Sequence, residues 1–359
     1  MDTSAFTDIS RLRTRRGLCA LPLLGLLGAG LPAAARAAPA PGQAAAPTLD
    51  RLARQARQLE PLRALLVARD GAALVESSRP GMDLDAPVNI KSASKSLIAA
   101  MIGRAIAEGM LPGVHAAIAP LLKKRLPARA NPRLAEITVE DLLTMRAGLE
   151  RTSGPNYGRW VNSRDWVGYV VSRPFVDEPG GRMLYSTGSS HLLSAILTDA
   201  SGRSTLQLAR DWFGEPLAMR FGGWDRDPQG IYLGGNNMAI SPRALLRFGE
   251  MMRQDGRAGD TQVVPGPYIQ ASWQPRTQSP FTGHAYGYGW FIAEAAGHPV
   301  YYAWGYGGQL LYVLPSLSAS VVMISDPDQP SGRNGYARQL HELLAGHIVP
   351  ALAAHGRQA

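Results

Sequence analysis

What most constrains the fold of this chain is where its β-forming segments lie. Leu62 to Ala68 and Ala72 to Ser77 are short apolar runs joined by Arg69-Asp70-Gly71, whose Asp-Gly step is a strong hairpin signal. Strand patterns return only late, at Tyr286 to Ile292, Val300 to Trp304, Leu310 to Leu314 and Ser320 to Ser325. The stretch between is helical in character. Ser92 to Met110 predicts a helix: Leu97, Ile98, Met101, Ile102 and Ile106 share one apolar face, and Gly109 and Pro112 stop it. From 111 to about 235 the chain alternates short helical segments with Gly/Pro-rich loops. Leu49 to Leu59 and Tyr336 to Leu352 also carry helical spacing, the second despite Pro350. Strands at both ends and helices between predict an α/β lobe built from 49–90 and 236–359, with a mostly helical lobe, 91–235, inserted. No internal repeat is visible.

A chain of 359 residues can bury a sizeable core, and its 45% hydrophobic and 18% charged residues describe a globular protein. The formal charge is +9, but five arginines and two aspartates lie within the first 37 residues. That segment reads as an export signal, with a basic head (Arg11 to Arg16), an apolar stretch of 14 (Leu18 to Leu31) and a small-residue cleavage site, Ala35-Arg36-Ala37. Fourteen apolar residues are too few to span a bilayer as a stable helix, and Thr14-Arg15-Arg16-Gly17-Leu18 is similar to a twin-arginine signal. Cleavage after Ala37 leaves +6 over 322 residues with no dense basic stripe, which argues against a nucleic-acid partner. No later segment is long and apolar enough for a transmembrane helix. Residues 38–48 read as an Ala/Pro-rich linker leading into a domain over 49–359. The single cysteine, Cys19, falls inside the signal, so a mature periplasmic or secreted protein has no disulfide, thiolate metal site or cysteine nucleophile.

Candidate chemistry begins at Lys91-Ser-Ala-Ser-Lys95. Four lysines stand against 33 arginines, and two of the four flank one serine. Chance supplies a Ser-x-x-Lys pair in roughly one such chain in four, so its meaning depends on the rest of the sequence. A serine hydroxyl needs a neighbouring base to act as a nucleophile, and residues three apart on a helix lie one turn from each other. Lys95 can therefore reach Ser92, provided that burial or a second cation such as Lys91 lowers its pKa. Free N–H groups at a helix start can bind a developing oxyanion. A Ser92 N-cap with a surface Lys95 is the competing structural reading.

At this point the chain resembles the serine β-lactamase and penicillin-binding-protein superfamily, whose Ser-x-x-Lys pair works in this way. The resemblance covers most of residues 60–350. Asp141-Leu-Leu-Thr-Met-Arg-Ala-Gly-Leu149 is similar to the family's segment before its active-site loops. Tyr185-Ser-Thr187, followed by a helix, resembles its Tyr-x-Asn region, and Tyr286-Gly-Tyr-Gly-Trp290 and Ala303-Trp-Gly-Tyr-Gly-Gly-Gln309 resemble its late strands. The wording is closest to the class C-like esterases and 6-aminohexanoate-dimer hydrolases. The resemblance implies an α+β, transpeptidase-like fold, with an antiparallel sheet flanked by helices and an inserted helical lobe. It implies Ser92, Lys95 and Tyr185 as catalytic residues, with the phenol of Tyr185 lowered from its ordinary pKa by cations such as Lys95. It also implies an oxyanion hole from the amides of Ser92 and Gln309, with Tyr306-Gly307-Gly308 in place of the family's Lys-Thr-Gly. Tyr157 and Trp160, in the region of a substrate-covering loop, join Thr187, Tyr306, Gly307 and Gly308 as binding candidates.

Two departures narrow the expectation. Thr187 replaces the asparagine amide of Tyr-x-Asn, and Tyr306 replaces the lysine that pairs with a β-lactam or peptide carboxylate. Both disfavour a β-lactamase or D-Ala-D-Ala-type cell-wall peptidase and leave the acyl-transfer core intact. The expectation is an exported serine hydrolase acting on small esters or short linear amides. It needs no metal or organic cofactor, and no signal for an oligomeric state is present. A catalytically silent peptidoglycan-binding module is the alternative of another class. No Gly-x-Ser-x-Gly elbow occurs, His341-Glu342 lacks the second histidine of a zinc motif at position 345, and His191 reads as structural.

Overall fold

The computed structural model describes residues 49–332 and 335–355; the export and linker expectations, on residues 1–48, fall outside the described residues. An eight-stranded sheet forms the centre. Its spatial order is Ala72–Ser78, Leu62–Arg69, Ala319–Ser325, Gln309–Leu314, His298–Gly305, Phe291–Ala295, Ala285–Tyr286 and Thr277–Gln278. Every neighbouring pair is antiparallel. The N-terminal hairpin docks on the last strand, with Leu66 opposite Val322 and Val67 opposite Val321, so both ends of the chain complete one sheet.

Both sheet faces are covered, which explains why its strands read as apolar runs. Period-two alternation sorts their side chains between two cores. Leu65, Val67, Leu310, Tyr312, Val321 and Met323 face the terminal helices, where Leu52, Leu340, Leu344, Ile348 and Leu352 close the outer core. Leu66, Leu311, Val313, Val322 and Ile324 face the other way, into a larger core with Leu97, Ile98 and Met101 of the helix Ser94–Ala107 and Leu245 and Phe248 of the helix Pro242–Arg253. The inserted segment holds short helices and one long helix, Thr187–Ser201, whose buried residues join the same core. A small sheet of Val88–Asn89, Met238–Ile240 and Phe221–Trp224 leads directly into the Ser92 region.

Three expectations need correction. The strand over Tyr286 to Ile292 is interrupted: residues 287–290 turn inward, Ser96 Oγ donates to Gly289 O at 2.6 Å, and Gly289 N donates to Leu143 O. The helix over Ser92 to Met110 starts as a 3-10 turn, Lys91–Ala93, and is α-helical only over Ser94–Ala107. The terminal helix widens to π geometry over Leu344–Ile348 before continuing as Val349–His355. The widening accommodates Pro350, which lacks the N–H that a regular turn would use.

Leu311 is fully buried where the helix Pro242–Arg253 approaches so closely that a Cβ on Gly249 would lie 2.6 Å from Leu311 Cδ1. Leu311→Ala is expected to lower the unfolding free energy by about 2–5 kcal/mol in urea titration. A change within about 0.5 kcal/mol, the range of an exposed site, would contradict this packing.

Candidate active site

Ser92 sits in the 3-10 turn between a short strand and the helix Ser94–Ala107. Lys91, which precedes it, has φ +50°, and its N–H donates to Asn89 Oδ1 at 2.9 Å. Lys95, one turn on, is 3% exposed. Its Nζ donates to Gly235 O at 2.6 Å and to Thr187 Oγ1 at 3.3 Å, and lies 3.0 Å from Ser92 Oγ. Burial pushes its pKa down to about 7. That value makes the geometry decisive. A neutral amine has two N–H groups and one lone pair, so an amine that donates to Gly235 O and Thr187 Oγ1 has its lone pair free for Ser92 Oγ. The half-buried Lys91, considered above as a possible second cation, contributes nothing to the depression.

The cradle around Lys95 is itself fixed. Thr187 opens the helix Thr187–Ser201, and its N–H donates to Ser153 Oγ at 2.8 Å while the two hydroxyls lie 3.0 Å apart. Thr152 Oγ1 accepts from Gly188 N at 2.8 Å, so the 152–153 turn holds the helix start. Gly235 has φ +81°, and a Cβ there would lie 2.5 Å from Lys95 Cγ, so only glycine fits. His191 Nδ1 accepts from Gly234 N, which leaves Nε2–H to donate to Asp227 Oδ2 at 3.1 Å. This buried histidine supports the loop that receives Lys95. Gly235, Ser153 and Thr152 were missed in the sequence. Gly234-Gly235-Asn236-Asn237 is a turn signal, but nothing in it marks a contact to a residue 140 positions away.

Tyr185 is held by its neighbours: Leu184 N donates to Met145 O at 2.8 Å, and Ser186 Oγ accepts from Thr152 N at 3.1 Å. Its hydroxyl hydrogen-bonds Ser92, and Lys95 Nζ lies 5.0 Å from its ring centre. The expected lowering of its pKa does not occur. Burial raises it to about 12, against a smaller opposing effect of the Ser92 hydrogen bond, so Tyr185 is held in its neutral form.

The late strands bear on the oxyanion expectation. Gln309 begins an inner strand with neighbours on both sides, is 0% exposed, and its Nε2 donates to Ser325 O at 2.9 Å. Its side chain lies in the sheet interior, and its backbone pairs with Gly305. Gly307 packs against Asp326 and Pro327, and Gly308 against Ser325, Tyr336 and Leu340, on the side away from the nucleophile. Gly305 is the glycine at the site: a Cβ there would fall 2.3 Å from Ile90 O and 3.1 Å from Lys91 Cβ. The adjacent strand pairs only as far as Tyr302, so the edge from Ala303 to Tyr306 is left beside the Ser92 turn. Tyr306 is 54% exposed at this rim. Aligning Gly305 rather than Gly308 with the family's glycine puts Ala303 at the lysine position, and neither register supplies a lysine.

Of the other candidates, Trp160 is 0% exposed, donates Nε1–H to Trp166 O, and packs between Trp166 and His191. It is core and cannot contact substrate. Tyr157 is half-buried, and its hydroxyl accepts from Asn236 Nδ2 at 2.8 Å, next to the Gly235 carbonyl that binds Lys95. His341 lies in the outer core with Nδ1 3.0 Å from Tyr312 Oη.

A family model described as Beta-lactamase matches residues 49–345. The chain belongs to the β-lactamase family. Solved structures agree in fold. A putative 6-aminohexanoate-dimer hydrolase from Bacillus anthracis is 17% identical over 85% of this chain and 82% of its own, with a TM-score of 0.70. A putative β-lactamase from Bacteroides dorei DSM 17855 is 18% identical over 84% of this chain and 98% of its own, with a TM-score of 0.67. EstCE1, a hydrolase with promiscuous acyltransferase activity, is 18% identical over 83% and 97%, with a TM-score of 0.67. The enzyme is thus a serine hydrolase of the β-lactamase-related type. At the position of the family's asparagine, the Thr187 hydroxyl contacts Lys95.

Folding moves Lys95 from its ordinary pKa of 10.5 to about 7. The unfolded chain therefore binds this proton more tightly. The burial cost is full below pH 7 and falls as pH rises toward 10.5, so stability rises with pH across that window. Lys95→Met is expected to stabilise the fold by on the order of a few kcal/mol at pH 6, and by less at pH 9.5, while abolishing turnover. Denaturant titrations showing a pH-independent effect, or a loss of stability at pH 6, would contradict a buried lysine with a depressed pKa.

Proposed function

We propose that the protein hydrolyses small esters or short linear amides, of the carboxylesterase or 6-aminohexanoate-oligomer type, through an acyl-enzyme on Ser92. The observation that carries this reading is the buried Lys95 amine, 3.0 Å from Ser92 Oγ and held in place by Gly235 O and Thr187 Oγ1. In acylation Lys95 takes the Ser92 proton as Oγ bonds to the carbonyl carbon. The tetrahedral oxyanion is received by backbone amides at the Ser92 turn and at Tyr306, the residue that follows Gly305 on the exposed edge. One such donor contributes about 3 kcal/mol. Tyr185, kept neutral by burial, passes its proton to the departing oxygen or nitrogen and recovers one from Lys95. Water then repeats the sequence in reverse on the acyl group.

Tyr185 is set among aromatic rings. Tyr185 stacks on Phe291 and meets Phe281 edge-on, each at 6.5 Å, and Phe291 meets Trp304 at 6.0 Å. No lysine stands on the edge strand to hold a β-lactam carboxylate. Initial rates on 4-nitrophenyl butyrate, a linear 6-aminohexanoyl amide and nitrocefin test the proposal. We expect ester or linear amide turnover at least tenfold above nitrocefin turnover, corresponding to about 1.4 kcal/mol. Nitrocefin as the preferred substrate would show a β-lactamase, and no turnover of any of the three by folded protein would favour a binding module.

A further inference from the structure

Lys91, the residue before Ser92, has a left-handed backbone, which a residue with a Cβ adopts only when its surroundings hold it there. Two side chains do so. The Lys91 N–H donates to Asn89 Oδ1 at 2.9 Å, and the Lys91 carbonyl accepts from Ser94 Oγ at 2.7 Å. The first bond is the turn that an asparagine makes with the backbone two residues on. Rotation about Lys91 swings the residue that follows, so these bonds fix where the Ser92 N–H and Oγ point.

Asn89 is itself held. Its Nδ2 donates to Asn237 Oδ1 at 3.1 Å, and Asn237 Nδ2 donates to Asp225 Oδ2 at 2.7 Å. The direction of this chain is set at both ends. A backbone N–H, which can only donate, stands at one end, and a carboxylate, which accepts, stands at the other. Turning either amide over would bring like groups face to face. The small sheet brings the two asparagines together: Asn89 pairs with Ala239, and Ile90 N donates to Met238 O at 3.0 Å.

Asn237 belongs to the loop that holds the base. Gly235 O accepts from Lys95 Nζ at 2.6 Å, Asn236 Nδ2 donates to Tyr157 Oη at 2.8 Å, and Asn237, with φ +50°, reaches Asn89. Residues 235 and 237 thus grip the base and the nucleophile turn respectively. The asparagine pair is a second connection between Lys95 and Ser92, separate from the helical turn that joins them in sequence.

We infer that Asn89 is a positioning residue for Ser92, its amide fixed by Asn237 and Asp225. It holds the hydroxyl within reach of Lys95 and turns the Ser92 amide toward the oxyanion. This rests on the acyl-enzyme reading above and adds to it a group that touches neither substrate nor the transferred proton. Asn89 governs the rate of attack and leaves base strength, which comes from the burial of Lys95, unchanged.

The test compares wild type, Asn89→Ala, Asn89→Ser, Asn237→Gly and the double variant Asn89→Ala/Asn237→Gly. Glycine at 237 keeps the left-handed backbone and removes the amide. The readouts are kcat/KM for 4-nitrophenyl butyrate and the pH dependence of Ser92 labelling by a fluorophosphonate. Asn89→Ala is expected to lower kcat/KM and the high-pH labelling plateau together, roughly tenfold, with the midpoint at its wild-type value. Asn89→Ser, whose hydroxyl makes the same turn more weakly, should fall between. Asn237→Gly should lose less than Asn89→Ala, and the double variant no more, because Asn237 acts through Asn89. An unchanged plateau in Asn89→Ala overturns the inference. So do losses that multiply in the double variant, or a midpoint that moves up toward 10, which would show that Asn89 only keeps Lys95 enclosed. If Asn89→Ala does not fold, the plateau and midpoint of Asn89→Ser and Asn237→Gly decide in the same way. Wild-type protein that is neither labelled at Ser92 nor active on 4-nitrophenyl butyrate would instead defeat the acyl-enzyme reading itself, and the inference with it.

Discussion

Everything at this site depends on keeping one amine away from water. A lysine with its ordinary pKa is protonated at neutral pH and cannot take a proton from serine. Here burial alone lowers Lys95 to about 7, with no neighbouring cation involved. The low value would be useless if the amine were free to rotate. Gly235 O and Thr187 Oγ1 hold the amine in place, 3.0 Å from Ser92 Oγ. Base strength and position therefore come from the same enclosure. The same burial acts in the opposite sense on a phenol, which is why Tyr185 rises to about 12 and stays neutral.

The fold supplies that enclosure from three distant parts of the chain. The helix Ser94–Ala107 brings Lys95, the start of Thr187–Ser201 brings Thr187, and a glycine loop at 234–235 closes over the lysine stem. Ser96 and the inward loop at 287–290 pin the first of these against the sheet. The sheet contributes an edge: His298–Gly305 outruns its outer neighbour, and Gly305 allows that edge to reach the Ser92 turn. A buried lysine with no ion pair is costly, and the surrounding apolar cores bear that cost. This is the usual conflict between a stable interior and a reactive group.

Much of this architecture was legible in the sequence because it rests on local patterns. The hairpin at Asp70-Gly71, the apolar runs of the last strands and the Ser92–Lys95 spacing all announce themselves. That both ends of the chain build one lobe followed from strand placement; that the first hairpin pairs with the last strand did not. What was illegible depended on long-range contacts or register. Gln309 and Gly305 sit in one Gly-rich run, and only the pairing of Gly305 with Gln309 shows which residue is on the open edge and which is inside. Trp160 reads as a binding aromatic until Trp166 and His191 are seen to enclose it. Tyr185 was expected to be acidified by Lys95, but a neutral lysine has no charge with which to do so. The contact from Lys95 to Gly235 crosses 140 residues, and no window of sequence contains both.

The central claim is that Ser92 is activated by a neutral, buried Lys95. The most direct test is the rate of Ser92 labelling by a fluorophosphonate as a function of pH, with the adduct located by peptide mass spectrometry. The account predicts a Ser92 adduct whose formation rate rises with pH through a single ionisation near 7. A midpoint near 10, the value of an exposed lysine, or labelling at a residue other than Ser92, would contradict it.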